Sequence, residues 1–279
     1  MMLEARDVEY RYEDESQALQ RASLAIRARE KLAILGPNGA RKSTLLSLLN
    51  GSFKPFAGEV LLHGAPVTYS RKGLTVLRSA VGLVLQDPDD QLFAATVFED
   101  VSFGPLNLGL STADARMRVT HALEVMGIEE LSHRPTHLLS FGQRKRVAIA
   151  GVLAMSPSVL LLDEPTAGLD PQGVEELAAT LHTLAGQGVA VVVATHDIDM
   201  AYAWAERVAV FGGGKIPMDG TPDEVFSHEG FSACGGLRMP TIHQVSKGLM
   251  ELGLMSAQDG LPRSVADLLR CVRTVRDRG

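Results

Sequence analysis

The sequence predicts an α/β fold built on a mostly parallel sheet, and three observations predict it. Short apolar runs have the length of buried strands: Lys31 to Leu35, Ala80 to Leu85, Ser158 to Leu162 and Val189 to Ala194. Helical patterns follow the last two, over Pro171 to Leu184 and Ile198 to Glu206. The first run opens into a Gly-rich loop and then a helix from about Ser43 to Leu49. Strands that alternate with helices stack in parallel, with helices covering both faces of the sheet.

In chain order, Leu3 to Ile26 alternates in places and holds few helix signals, so it reads as antiparallel strands. Between Asp90 and Met155 strand-like runs give way to helical patterns over Thr112 to Met126 and Gly142 to Met155. In the second, Val147, Ala150, Val152 and Leu153 recur at helical spacing. About 90–155 is therefore expected to be a helical subdomain inserted in the α/β core. GGGK at 212–215 reads as a tight turn, and Gly220-Thr221-Pro222 as the start of a short helix ending near Phe226. The expected division is a main domain over 1–227 and a small C-terminal domain over 228–279, which carries two amphipathic patches.

Composition narrows the function classes. Of 279 residues, 46% are hydrophobic and 22% charged, ample for a core. The net charge of −6 argues against nucleic-acid binding as the main activity, which favours a basic excess. By the same reasoning, Arg144, Lys145 and Arg146 are expected to form a solvated helix face. Cys234 and Cys271 indicate neither a disulfide framework nor a zinc motif, and fit a reducing cytoplasm. With His243 they leave a transition-metal site in the tail as a minor alternative. His63, His121, His133 and His137 lack ligand spacing. No run approaches 18 apolar residues, and the acidic start MMLEARDVEYRYEDE lacks the apolar stretch of a signal peptide. If the chain serves a membrane, another chain is expected to cross it.

Three motifs carry chemistry. In Gly36-Pro37-Asn38-Gly39-Ala40-Arg41-Lys42-Ser43-Thr44, a strand leads through a Gly-rich loop into a helix, the context of a phosphate-binding loop. Amides and the helix N-terminus favour phosphate, Lys42 would neutralise it, and the Ser43 hydroxyl would face Mg²⁺. Arg41 stands where the pattern requires glycine. In the second motif, the apolar run Val159 to Leu162 ends on Asp163 and Glu164. One carboxylate suits Mg²⁺ and the next suits accepting a proton from water. In the third, Leu139-Ser140-Phe141-Gly142-Gln143 runs straight into a helix. There Ser140, Gly142 and the helix dipole can engage a phosphate, or Ser140 can simply cap the helix.

Together these motifs resemble the ATP-binding-cassette (ABC) ATPases, whose signature is usually LSGGQ. The resemblance implies a RecA-like core with an antiparallel β-subdomain, a helical subdomain and a small C-terminal domain. It also implies roles for further residues. Gln86 looks like the glutamine that ligates Mg²⁺ and senses a membrane partner. Asp170 in Ala167-Gly168-Leu169-Asp170 looks like part of the loop that crosses a dimer interface. His196 looks like the switch histidine at the γ-phosphate. Tyr12 occupies the place of the adenine-stacking aromatic, with Tyr10 as competitor.

QDPDDQLF, LSFGQRKRVAIAGVLAM and the C-terminal segment are similar to the cobalt/nickel importer ATPases and the energy-coupling-factor importers. The expected protein is thus an ATPase using ATP and Mg²⁺. Its partners are a second ATPase subunit, identical or closely related, and membrane subunits docking near Gln86. Its place is the cytoplasmic face of the cell membrane. The alternatives are a soluble cassette ATPase of translation or repair, and a family member impaired by Arg41. The latter follows because a large side chain before Lys42 is expected to displace either the phosphate or Lys42.

Overall fold

The computed structural model describes residues 1–234, 236–255 and 260–276. The antiparallel start is β1 (Leu3–Arg11) and β2 (Gln17–Ile26). Next come β3 (Lys31–Leu35), α1 (Lys42–Leu49), β4 (Ala57–Leu62), β5 (Ala65–Pro66), α2 (Arg71–Ala80) and β6 (Val81–Val84). A helical stretch follows: α3 (Val97–Asn107), α4 (Thr112–Met126) and α5 (Phe141–Leu153). The chain then alternates through β7 (Val159–Asp163), α6 (Pro171–Gly186), β8 (Ala190–Thr195), α7 (Ile198–Trp204) and the hairpin β9 (Arg207–Gly212) and β10 (Lys215–Gly220). It closes with α8 (Pro222–Ser227), α9 (Thr241–Glu251) and α10 (Val265–Arg276).

Two sheets result. The smaller runs β2-β1-β4-β5 and is antiparallel. The larger runs β10-β9-β3-β8-β7-β6, parallel except for the edge strand β10. The central strands are apolar throughout because both faces are covered. Ala33, Leu35, Leu160, Leu162, Val191 and Val193 pack toward the helices, whereas Leu32, Ile34, Leu161, Val192 and Ala194 pack toward α1 and the smaller sheet. Among the described residues no strand lies between 90 and 155, as expected, and α4 has the predicted bounds.

The sequence reading missed several elements, each for a local reason. In α2 only Leu77 is buried, so no apolar stripe marks it, and Ala80 ends this helix instead of starting β6. Pro105 interrupts the apparent helix signal of α3, although the capping box of Thr96 and Glu99 announces its start. Val208 to Phe211 is a clear buried run that should have been read as β9; GGGK is the turn that joins it to β10. In the C-terminal segment, Phe231 and Leu237 join the same core cluster as Tyr202 and Phe226.

Candidate active site

The site follows from register in the parallel sheet. Leu35 pairs with Thr195, and Asp163 with Ala194. The residues just past three adjacent strands are therefore Gly36, Glu164 and His196, all at the carboxyl edge where α/β sheets bind ligands. Gly36 is required by close approach: a Cβ there would lie 2.6 Å from the carbonyl oxygen of Phe211.

Lys42 folds back over this edge. It is 6% exposed, donates to the carbonyls of Gly36 at 2.8 Å and Pro37 at 3.3 Å, and lies 3.3 Å from Glu164 Oε1. The same Oε1 lies 3.0 Å from His196 Nδ1, while Thr195 Oγ1 donates to Glu164 Oε2 at 3.0 Å. Oε1 nevertheless receives no well-angled hydrogen bond, so this buried oxygen keeps unused acceptor capacity. Glu164 holds this position with φ +43°, in a region non-glycine residues seldom occupy.

Asp163 is buried, and its Oδ1 has no partner. Burial raises its pKa, and the Ser43 hydroxyl bonded to it pulls the other way. An orphaned carboxylate oxygen beside a hydroxyl suits a hard, oxygen-seeking cation such as Mg²⁺. Gln86, two residues past the end of β6, lines the same cleft as Asp163 and Ser43.

Tyr12, Asn38, Gly39, Ala40, Arg41, Lys42, Ser43, Thr44, Gln86, Asp163 and Glu164 line that one cleft. Tyr12 hydrogen-bonds Thr44 through its hydroxyl, whereas Tyr10 stacks on Phe53, with centroids 4.9 Å apart, and packs into the core. Of the two candidate aromatics, Tyr12 therefore faces the cleft. Arg41 has φ +77° and lies exposed, with its guanidinium over the Tyr12 ring. Of the two groups it was expected to displace, the phosphate or Lys42, Lys42 keeps its buried place while Arg41 turns outward.

Ser140, Gly142, Gln143 and Asp170 do not line this cleft. Ser140 caps α5, forming a reciprocal box with Gln143, and Asp170 caps α6 by accepting from Gly173 N at 2.7 Å. Exposed Ser140 can serve as cap and still face outward. Phe141 fixes the neighbouring loop: Gly168 has φ +77°, and a Cβ there would lie 2.6 Å from Phe141 Cε1.

The basic run on α5 is not a solvated face. Lys145 is fully buried, Arg144 pairs with Asp89 at 2.7 Å and Arg146 pairs with Glu176. Sequence reasoning missed this by weighing the charge of Lys145 over its position, although it falls on the stripe of Ala148 and Val152, where periodicity alone would have placed it inward. Thr195, also missed, lacked any signal beyond ending a strand of apolar residues. Among the described residues no cluster of three or more His, Cys, Asp or Glu is arranged to hold a metal, so Cys234 and His243 form no such group.

Comparison with known proteins places this geometry. The ABC transporter family profile matches residues 19–167. The chain is 52% identical over 263 residues to the cobalt import ATP-binding protein CbiO of Rhodobacter capsulatus, covering 94% of each. The solved cbiO1 of Clostridium perfringens, described as part of the ABC transporter complex cbiONQ, superposes with TM-score 0.76 at 45% identity, over 90% of this chain and 97% of that one. A dimeric bacterial ABC transporter cassette superposes with TM-score 0.72 at 30% identity, over 79% and 99%.

Proposed function

Because the chain belongs to the ABC transporter family of ATPases, we propose that it powers a membrane importer of cobalt, nickel or a related micronutrient, working in a pair of such subunits. The observation that carries the catalytic part is the meeting of Lys42, Glu164 and His196 at adjacent strand ends. Lys42 neutralises the terminal phosphates of ATP. Glu164 takes the proton of the attacking water at Oε1, which has unused acceptor capacity, and Thr195 and His196 hold its orientation. Ser43, Asp163 and Gln86 hold Mg²⁺, which when bound screens the phosphate charge. Tyr12 receives the base.

Ser140, Gly142, Gln143 and Asp170 act on the nucleotide of the second ATPase subunit. This fits their position outside the cleft that holds Lys42. No described helix is long and apolar enough to cross a membrane, so membrane subunits are partners in this reading and attachment is peripheral, through the region near Gln86. Residues 1–227 form the ATPase domain and 228–279 a smaller domain. Arg41 slows the cycle without abolishing it.

The test is expression of the chain with and without its membrane partners. Mg²⁺-dependent ATP turnover should rise on assembly, and cobalt or nickel uptake should depend on Glu164. Turnover that needs no partner, with no effect of the chain on metal uptake, would reject the transport role.

A further inference from the structure

Lys145 is 0% exposed, the most deeply buried charged side chain among the described residues. Its ammonium donates to the main-chain carbonyl of Gln86 and, at 3.4 Å, to that of Glu164. The ring of Phe141 covers it at 5.7 Å. The carboxylates of Asp163, Asp87 and Glu164 all act on its charge, yet burial prevails and lowers its pKa.

Such a group does not add to stability over an apolar residue of the same length, because desolvation offsets what the carbonyls and carboxylates return. What it does supply is a fixed geometry between the groups it joins. These groups are notable. Gln86 lies in the exposed loop after β6, and Glu164 carries the carboxylate that faces Lys42. At Glu164 the backbone lies at φ +43°, so the direction of the side chain is set by the orientation of its peptide planes. Holding its carbonyl therefore fixes the Cα–Cβ direction from which Thr195, Lys42 and His196 orient the carboxylate.

We propose that Lys145 is a positioning residue that ties the main chain at Gln86 to the main chain at Glu164, so that a displacement of the Gln86 loop reaches the catalytic carboxylate. The link rests on the ATP-site reading above but is separable from it. It is short: one ammonium with two of its three donors engaged joins the ends of the neighbouring strands β6 and β7. No other described side chain bonds both carbonyls.

Amide hydrogen exchange tests this directly in the full chain, both with Arg41 and as Arg41→Gly, with and without Mg-ATP. The variants are Lys145→Met, which keeps length and removes every donor, and Lys145→Gln, which keeps an N–H donor. In the parent chain, nucleotide should slow exchange both in the phosphate loop and at residues 85–87. In Lys145→Met the phosphate loop should stay protected while protection at 85–87 falls about tenfold, with Tm within a few degrees of the parent. In Lys145→Gln part of the protection should return. Turnover should fall about tenfold in Lys145→Met with the KM for ATP within about threefold. Protection at 85–87 that survives both variants would overturn the proposal, as would its loss together with phosphate-loop protection and Tm, which marks a merely structural role. Absence of any nucleotide-induced protection, even with Arg41→Gly, would instead overturn the ATP-site reading and remove the premise of this one.

Discussion

The guanidinium of Arg41 lies over the ring of Tyr12, 5.1 Å from its centroid, at the mouth of the cleft that Lys42 and Glu164 close from below. It therefore covers one face of the ring proposed to receive the base. A cation–π contact at an exposed site contributes about 0.5–1 kcal/mol, against about 1–3 kcal/mol for base–aromatic stacking. ATP can displace the arginine but loses part of what stacking supplies. Arg41→Gly should raise ATP affinity about two- to fivefold and increase turnover, read by nucleotide titration and phosphate release on the two chains side by side. Equal values would show that the loop tolerates the side chain.

Glu164→Gln removes the proton acceptor while keeping shape and the Thr195 hydrogen-bond geometry. ATP binding should persist and turnover fall roughly 10²-fold or more, the scale of general-base removal. Single-turnover phosphate release measures it. Retention of most activity would move the base elsewhere.

Ser140→Arg adds bulk and charge at the exposed start of α5. Binding of ATP to the isolated chain should change little, whereas ATP-driven dimerisation should disappear in sedimentation or light scattering. Normal nucleotide-dependent dimers from this variant would contradict the paired arrangement.

Gly168→Ala should destabilise the chain by two separable contributions. The left-handed backbone costs about 1–3 kcal/mol for a non-glycine residue, and the new Cβ meets Phe141 Cε1 at 2.6 Å. Adding Phe141→Ala should remove the steric part and leave the backbone part. A double-mutant cycle on urea midpoints reads the coupling, and strict additivity would mean that the ring simply moves aside.

His243 is fully buried, neither ring nitrogen has a hydrogen-bond partner, and the ring packs edge-on against Tyr202. Burial, helped by Lys247, lowers its pKa below 6.5, against the opposing pull of Asp223. The folded state thus binds a proton less readily than the unfolded chain. This stability is complete above about pH 6.5 and is lost as pH falls toward the lower folded value, by at most ~1.4 kcal/mol per pH unit. Urea midpoints between pH 8 and 5 should show the acid-side loss, and His243→Leu should flatten it. An unchanged acid limb would assign the titration to other groups.

The parallel core was legible because β3, β7 and β8 are apolar on both faces, a pattern that short sequence windows carry. The catalytic edge was legible because its residues sit directly after those strands. Less legible were elements whose signal is tertiary. The single buried residue of α2, Leu77, has meaning only against the cluster it enters, and the partners of Lys145, though not its inward position, appear only when the Gln86 loop is laid over it. The outward turn of Arg41 was likewise not readable, since nothing local distinguishes a side chain that fills a loop from one that leaves it.

The backbone at Glu164 has a consequence for how this protein can be made more robust. A carboxylate in the left-handed region is held there against its own conformational preference, at a cost of about 1–3 kcal/mol. Glu164→Gly would relax that preference, but it would also leave buried Lys42 without its carboxylate and Thr195 without its acceptor, so the contacts that orient the side chain are the ones that hold the strain. Gains in robustness on this chain are therefore to be sought away from position 164, where backbone strain and buried pairing cannot be separated.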